Sequence, residues 1–219
     1  MIHVSETLML QTVEDFLTSD ETARLIKIMD SETADWHPVG QAEVLPAPGA
    51  AQQILAEATY RALPAIRRGT PSIAGATPWS YTELTAGQSV PTHLDGIISP
   101  RTPPRRIGRI GVAVAEADAG GRFYIETTSD PAPWTGAVLG EADGYLPGTP
   151  VSRSLPHAPY PHAAQPAWLA GPRKSRWLTD AGAGVAVAYG AQVIHGVTPV
   201  ISGRLRRFVT DLVDTPPAG

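Results

Sequence analysis

Glycine contributes 21 and proline 22 of the 219 residues, about a fifth of the chain, against roughly 12% in an average protein. Both interrupt long regular elements, glycine through backbone freedom and proline through its missing N–H. A chain broken this often forms short elements, and most of the runs between the breaks are β-prone. These are Trp79 to Thr85, Arg109 to Ala115, Arg122 to Thr127, Gly184 to Tyr189, Val193 to Val200 and Arg207 to Val213. Helical signals are confined to the first third. Thr18-Ser-Asp-Glu offers capping oxygens to a helix over about Asp20 to Asp30, whose Ala23, Leu25, Ile26 and Met29 recur three or four apart. A second helix, about Ala50 to Arg67, sets Ile54, Ala58 and Ala62 on one stripe beside Leu55, and Pro64 is expected to bend or end it. The class that follows is α+β, mainly β, with a helical part over about 13–67 and a sheet core over about 72–213.

Composition narrows the function. The chain is 42% apolar, enough for one core, and reads as a single domain over 1–219. A net charge of −4 gives no broad positive field, so no nucleic-acid partner is expected. The longest apolar stretches, such as Ala181 to Val193, fall short of the roughly 20 residues of a membrane helix, so no membrane partner is expected either. Met1 to Thr12 lacks the charged and apolar regions of a leader, which points to a cytoplasmic protein. There is no cysteine, which excludes disulfides, thiolate metal sites and thiol nucleophiles. Any metal must sit on His, Asp or Glu. Between Thr128 and Asp180 runs a stretch rich in Pro, Gly, His and Trp, read as an insertion that serves as a lid, a binding loop or a disordered segment.

Three residues carry the chemical signal. In a strand, the spacing of His93-Leu-Asp95 puts both side chains on one face, and His195 supplies a distant third ligand. Two imidazoles and one carboxylate on one face of an octahedron leave three positions for a bidentate cosubstrate and dioxygen, the geometry of non-haem iron(II) oxygenases. After His195, Gly-Val-Thr-Pro-Val-Ile-Ser-Gly forms a turn leading to Arg204-Leu-Arg206-Arg207. An arginine there could pair bidentately with a cosubstrate carboxylate.

With these residues the chain resembles the iron(II) and 2-oxoglutarate dependent oxygenases of the prolyl 4-hydroxylase-like branch, over about Val13 to Val213. Four segments agree in order: Val13-Glu-Asp-Phe-Leu-Thr-Ser-Asp-Glu, Leu84 to Asp95, Ala119-Gly-Gly-Arg-Phe, and His195 to Gly203. The resemblance implies a double-stranded β-helix, the cupin-like jelly roll, with the N-terminal helices packed on one sheet. It also implies iron(II) on His93, Asp95 and His195, with 2-oxoglutarate and O2 as cosubstrates, ascorbate as a stimulant, and hydroxylation of a C–H bond. Relatives carry their basic cosubstrate residue ten positions after the distal histidine, where this chain has Leu205. One residue of slip in the turn would make it Arg206, favoured over Arg204. Tyr81 is a further cosubstrate candidate, with core packing as its other reading. A carboxylate at Asp95 favours hydroxylation over halogenation, which needs a small residue there. The expected substrate is a small molecule, an amino acid or natural-product intermediate. A peptidyl-prolyl substrate and a non-catalytic metal-binding jelly roll are the alternatives, and oligomeric state stays open.

Other residues carry less. His157 and His162, in the Pro-rich stretch, and the run Arg101, Arg105, Arg106 and Arg109 read as solvated before they read as substrate contacts. His3 and His37 read as structural or exposed. Trp134, Trp168 and Trp177 either line a pocket or anchor the insertion.

Overall fold

The computed structural model describes residues 1–33, 44–153 and 165–215. Helix α1, Ser19–Glu32, starts on Thr18, whose hydroxyl accepts from the Glu21 N–H while the Glu21 carboxylate accepts from the Thr18 N–H. This reciprocal cap satisfies two otherwise orphaned donors. Helix α2, Gly49–Ile66, keeps Pro64 inside its last turn, so the proline neither breaks nor ends it. Its buried residues Ala51, Ile54, Leu55, Ala58 and Ala62 form the expected stripe.

Ten strands matter for the site: β1 (Leu10–Val13), β2 (Val44–Pro46), β3 (Ser80–Thr85), β4 (Val90–His93), β5 (Arg106–Ala115), β6 (Phe123–Thr127), β7 (Ser175–Leu178), β8 (Ala186–Gly190), β9 (Ile194–Val197) and β10 (Arg204–Val213). They form two antiparallel sheets. The larger runs β1-β8-β5-β10-β3-β2, and the smaller runs β7-β6-β9-β4. Along β3 to β10 each successive strand changes sheet, except that β6 and β7 pair with each other within the smaller sheet, and this is the double-stranded β-helix. Helices α1 and α2 cover the outer face of the larger sheet, where Leu25, Met29, Leu55 and Ala58 share one core with Tyr81, Ile110, Val112, Ala188 and Phe208.

Two segments differ from expectation. The stretch read as one insertion to Asp180 gives up β7, which is an edge strand of the smaller sheet. All four of its residues are exposed, so no apolar alternation marks it in the sequence. The run Val193 to Val200 is split, because β9 ends at Val197 before Thr198-Pro199 and a short strand resumes at Val200–Ser202. Among the described residues no helix is long and apolar enough to cross a membrane.

Phe208, fully buried on the helix-facing side, should cost about 3–5 kcal/mol on replacement by alanine. Ile201, 73% exposed, should cost no more than about 0.5 kcal/mol. Urea denaturation of the two variants checks the pair, and similar losses would contradict this layering.

Candidate metal centre

The smaller sheet sets two histidines side by side. His195 in β9 is the direct cross-strand partner of His93, the last residue of β4, so both rings rise from one face with centroids 4.2 Å apart. The chain leaves β4 after His93, which ends the expected strand before Asp95. Leu94 is buried against Leu169 and Ile194, and Gly96, in the left-handed region, donates its N–H to the Ala191 carbonyl at 2.8 Å. That turn still delivers the carboxylate. Asp95 Oδ2 lies 3.4 Å from His195 Nε2, and Oδ1 lies 3.9 Å from His93 Nε2. One ligand atom from each of the three lies within 4.8 Å of the others.

The donor set suits a cation. His93 Nδ1 is 2.8 Å from the Pro91 carbonyl and His195 Nδ1 is 2.9 Å from the Val193 carbonyl. A carbonyl only accepts, so each Nδ1 carries the proton and each Nε2 presents a lone pair. Asp95 Oδ2 is buried and accepts no hydrogen bond among the described residues. Two lone-pair nitrogens and an unsatisfied carboxylate oxygen thus face one another, an arrangement a bound cation satisfies. Burial alone would raise the Asp95 pKa, but the Arg109 guanidinium, with His195 and His93, holds it well below the usual carboxylate range. Burial, with His93 alongside, pushes His195 down to about 3. Both groups are therefore in the ligating form at neutral pH.

Around the trio the inner face of the larger sheet is polar. Arg109 in β5 donates to Asp95 Oδ1 at 3.0 Å and forms an ion pair with Asp211 of β10 at 2.9 Å. Arg106 also pairs with Asp211, at 2.6 Å. The rings of Tyr189 and Phe123 lie 4.5 and 5.6 Å from that of His195. They also line a cavity of about 400 Å³ that includes Gly111, Ala113, Leu205 and Arg207. Gly111 is what admits the arginine, since a Cβ there would lie 2.7 Å from Arg207 Nη2.

The arginine expectation needs correction. Gly203 turns the hairpin with φ of 76°, and beyond it Leu205 and Arg207 line the barrel cavity while Arg206 points to the helices. Arg206 Nε donates to the Tyr81 hydroxyl at 2.7 Å, and Nη1 pairs with Asp30 of α1 at 2.9 Å. Arg204 is largely exposed and reaches Glu83 at 3.2 Å. Tyr81 packs on Phe208 with centroids 5.1 Å apart, so core packing is its role. Arg207 and Arg109 are the residues that sequence reasoning missed. Strand parity counted from Leu205, without the slip, points to Arg207.

The remaining candidates fall into place. His3 caps the short helix Val4–Thr7. Arg101 and Arg105 pair with Asp143 and Asp214. Trp134 and Trp168 pack against Leu94, Leu169 and Ile194, anchoring the stretch between Thr128 and Asp180 at two points. Trp177 is 60% exposed on the edge strand β7. His37, His157 and His162 lie outside the described residues.

No protein-family model and no curated protein matches the chain. Solved structures do. A prolyl-4-hydroxylase from Pseudomonas putida aligns over 96% of this chain and 95% of its own at 14% identity, with a TM-score of 0.60. HygX from Streptomyces hygroscopicus, with nickel and 2-oxoglutarate bound, aligns over 95% and 85% at 13% identity, with a TM-score of 0.53. AviO1 from Streptomyces viridochromogenes Tue57 aligns over 98% and 94% at 17% identity, with a TM-score of 0.51. This chain shares their fold. At such identities the likeness is one of architecture, a double-stranded β-helix matched over nearly the whole chain, and the residues of the site must speak for its chemistry.

The depressed His195 pKa has a measurable consequence. Unfolded, its imidazole titrates near about 6.5; folded, it stays neutral down to about 3. As pH falls through that window the unfolded state takes up a proton the folded state refuses, so the metal-free protein loses stability. Asp95 contributes only below its unfolded value near about 3.9, so the range from pH 7 to 5 isolates the histidine. His195→Gln should flatten the fall in urea midpoint across that range, and equal slopes in the two proteins would remove His195 as its source.

Proposed function

We propose that the protein is a non-haem iron(II) dioxygenase that couples oxidative decarboxylation of 2-oxoglutarate to hydroxylation of a C–H bond in a small molecule. The observation that carries this reading is the convergence of His93 Nε2, His195 Nε2 and one Asp95 oxygen within 4.8 Å, a ligand set that leaves half of an octahedron open. Iron(II) held there supplies the activation of dioxygen, so that 2-oxoglutarate, O2 and R–H become succinate, CO2 and R–OH.

The chain's own residues prepare this chemistry. The two Nδ1 protons, fixed on Pro91 and Val193 carbonyls, lock both rings with Nε2 inward. Arg207 is a buried-side cation with no carboxylate in ion-pair range among the described residues, although it interacts with Tyr189. Its cross-strand neighbour Thr82 has a buried hydroxyl without a hydrogen-bond partner among the described residues. Arg207 and Thr82 are the groups we assign to the distal carboxylate of 2-oxoglutarate, in place of Arg206, Arg204 and Tyr81. A guanidinium and a hydroxyl suit that group, and binding it relieves a cation that burial disfavours. With side-chain exposures of 16, 1 and 4% for His93, Asp95 and His195, the reactive face opens narrowly. This supports a small substrate over an extended protein segment.

Anaerobic titration of the iron(II)-loaded protein with 2-oxoglutarate should produce the weak visible charge-transfer band of keto acid chelation. Arg207→Ala should weaken that titration at least about tenfold, the scale of one lost charge-assisted contact. Gly111→Ala should act in the same direction by displacing the guanidinium, while Arg206→Ala should leave the cosubstrate affinity within about threefold. A band that never forms would sink the oxygenase reading; a band equally sensitive to Arg206→Ala and Arg207→Ala would sink the assignment of Arg207.

A further inference from the structure

Asp95 does not offer its two oxygens equally. Its carboxylate is 1% exposed, so both oxygens need partners. Oδ1 accepts from Arg109 Nη1 at 3.0 Å; Oδ2 faces His195 Nε2 at 3.4 Å and accepts no hydrogen bond among the described residues. Arg109 is itself held from its far side. Asp211 lies 2.9 Å from Arg109 Nε, and Arg106 holds the other Asp211 oxygen at 2.6 Å. Arg109 and Asp211 are cross-strand partners in β5 and β10, so the pair is built into the sheet and not hung on a loop. An arginine keeps its charge at any accessible pH, and this one is wedged between two carboxylates.

We propose that Arg109 is a positioning residue that restricts Asp95 to a single metal-binding oxygen, and so keeps open the coordination position that dioxygen requires. This rests on the reading that His93, Asp95 and His195 hold iron. Were iron held there, two imidazoles, one carboxylate oxygen and a chelating keto acid would occupy five of six octahedral positions. A carboxylate free to rotate could close a four-membered chelate and take the sixth. With Oδ1 hydrogen-bonded to a cation that the sheet itself anchors, that rotation must break a charge-assisted bond in a buried site. Sequence alone gives no hint of this role, since Arg109 stands in a basic run that resembles a solvated loop.

The test is the carboxylate infrared signature on anaerobic addition of iron(II), with aspartate carrying carbon-13 at its carboxyl and Asp95→Ala used to assign the bands. A carboxylate bound through one oxygen shows a wide gap between antisymmetric and symmetric stretches, and one bound through both shows a narrow gap. The wild type and Arg109→Lys should show the wide gap and Arg109→Met the narrow one. In Arg109→Met, 2-oxoglutarate affinity should stay within about threefold while succinate formation falls at least about tenfold, the scale of a lost outer partner at a metal site. Asp211→Asn, which keeps the guanidinium and removes its anchor, should move the gap in the same direction and covers the case where Arg109→Met fails to fold. A narrow gap in the wild type, or a wide gap in both Arg109→Met and Asp211→Asn, would overturn the proposal. Absence of any iron-induced band in the wild type would overturn the underlying metal reading instead.

Discussion

Both faces of the larger sheet are covered, one by α1 and α2 and the other by the smaller sheet, so each of its central strands must satisfy two interiors at once. Along β10, Phe208 and Leu212 enter the helix-packed core, while Leu205 and Arg207 line the barrel cavity. Along β5, Ile110, Val112 and Val114 enter that core, while Gly111 and Ala113 line the cavity. In β8, Ala186 and Ala188 let the helical layer approach, and Val187 and Tyr189 turn inward. The period of two residues therefore separates a dry apolar layer from a polar chamber, and a shift of one residue would exchange them.

Adjacent arginines show how strictly that period assigns roles. Arg206 enters the helix layer and is satisfied by Asp30, Glu83 and the Tyr81 hydroxyl. A buried cation with such partners stabilises little beyond what an apolar pair of similar size would, but removing either side would leave an uncompensated charge. Arg207, one residue on, faces Tyr189 and Phe123, with its guanidinium carbon 5.8 Å from the Phe123 centroid. Burial lowers its pKa below the usual arginine value. The two side chains have the same chemistry, and only the side of the sheet makes one structural and the other available to a ligand.

This is also why the sequence was informative about some features and silent about others. The capping residues at Thr18 and the stripe of α2 are local, and they came out as read. The trio was legible because His93, Asp95 and the histidine hairpin carry a spacing that chemistry constrains. The strand bearing Asp95 was not, since the chain turns at Gly96 and presents the carboxylate from a loop. The choice of Arg206 failed because a strand buried on both faces loses the apolar and polar alternation that reveals its inward side. Arg109 was hidden for a different reason, as its partners Asp95 and Asp211 lie 14 and 102 residues away in the chain, a pairing set only by the sheet.

Charge inside the barrel follows from the same arrangement. Next to the trio Arg106 and Arg109 are matched by Asp95 and Asp211, whereas Arg207, in a cavity that Glu116, Asp118, Arg122 and Asp180 also line, has no carboxylate in ion-pair range among the described residues. A divalent cation entering alone would add two positive charges close to Arg109 and Arg207, in a setting where water screens poorly. A dicarboxylate entering alone would gain Arg207 but find no cation for its other end. Bound together, dication and dianion leave the net charge of the chamber where it stood, so each lowers the electrostatic penalty of the other. Their affinities are then coupled, and by thermodynamic linkage the factor by which the metal tightens the dicarboxylate is the factor by which the dicarboxylate tightens the metal.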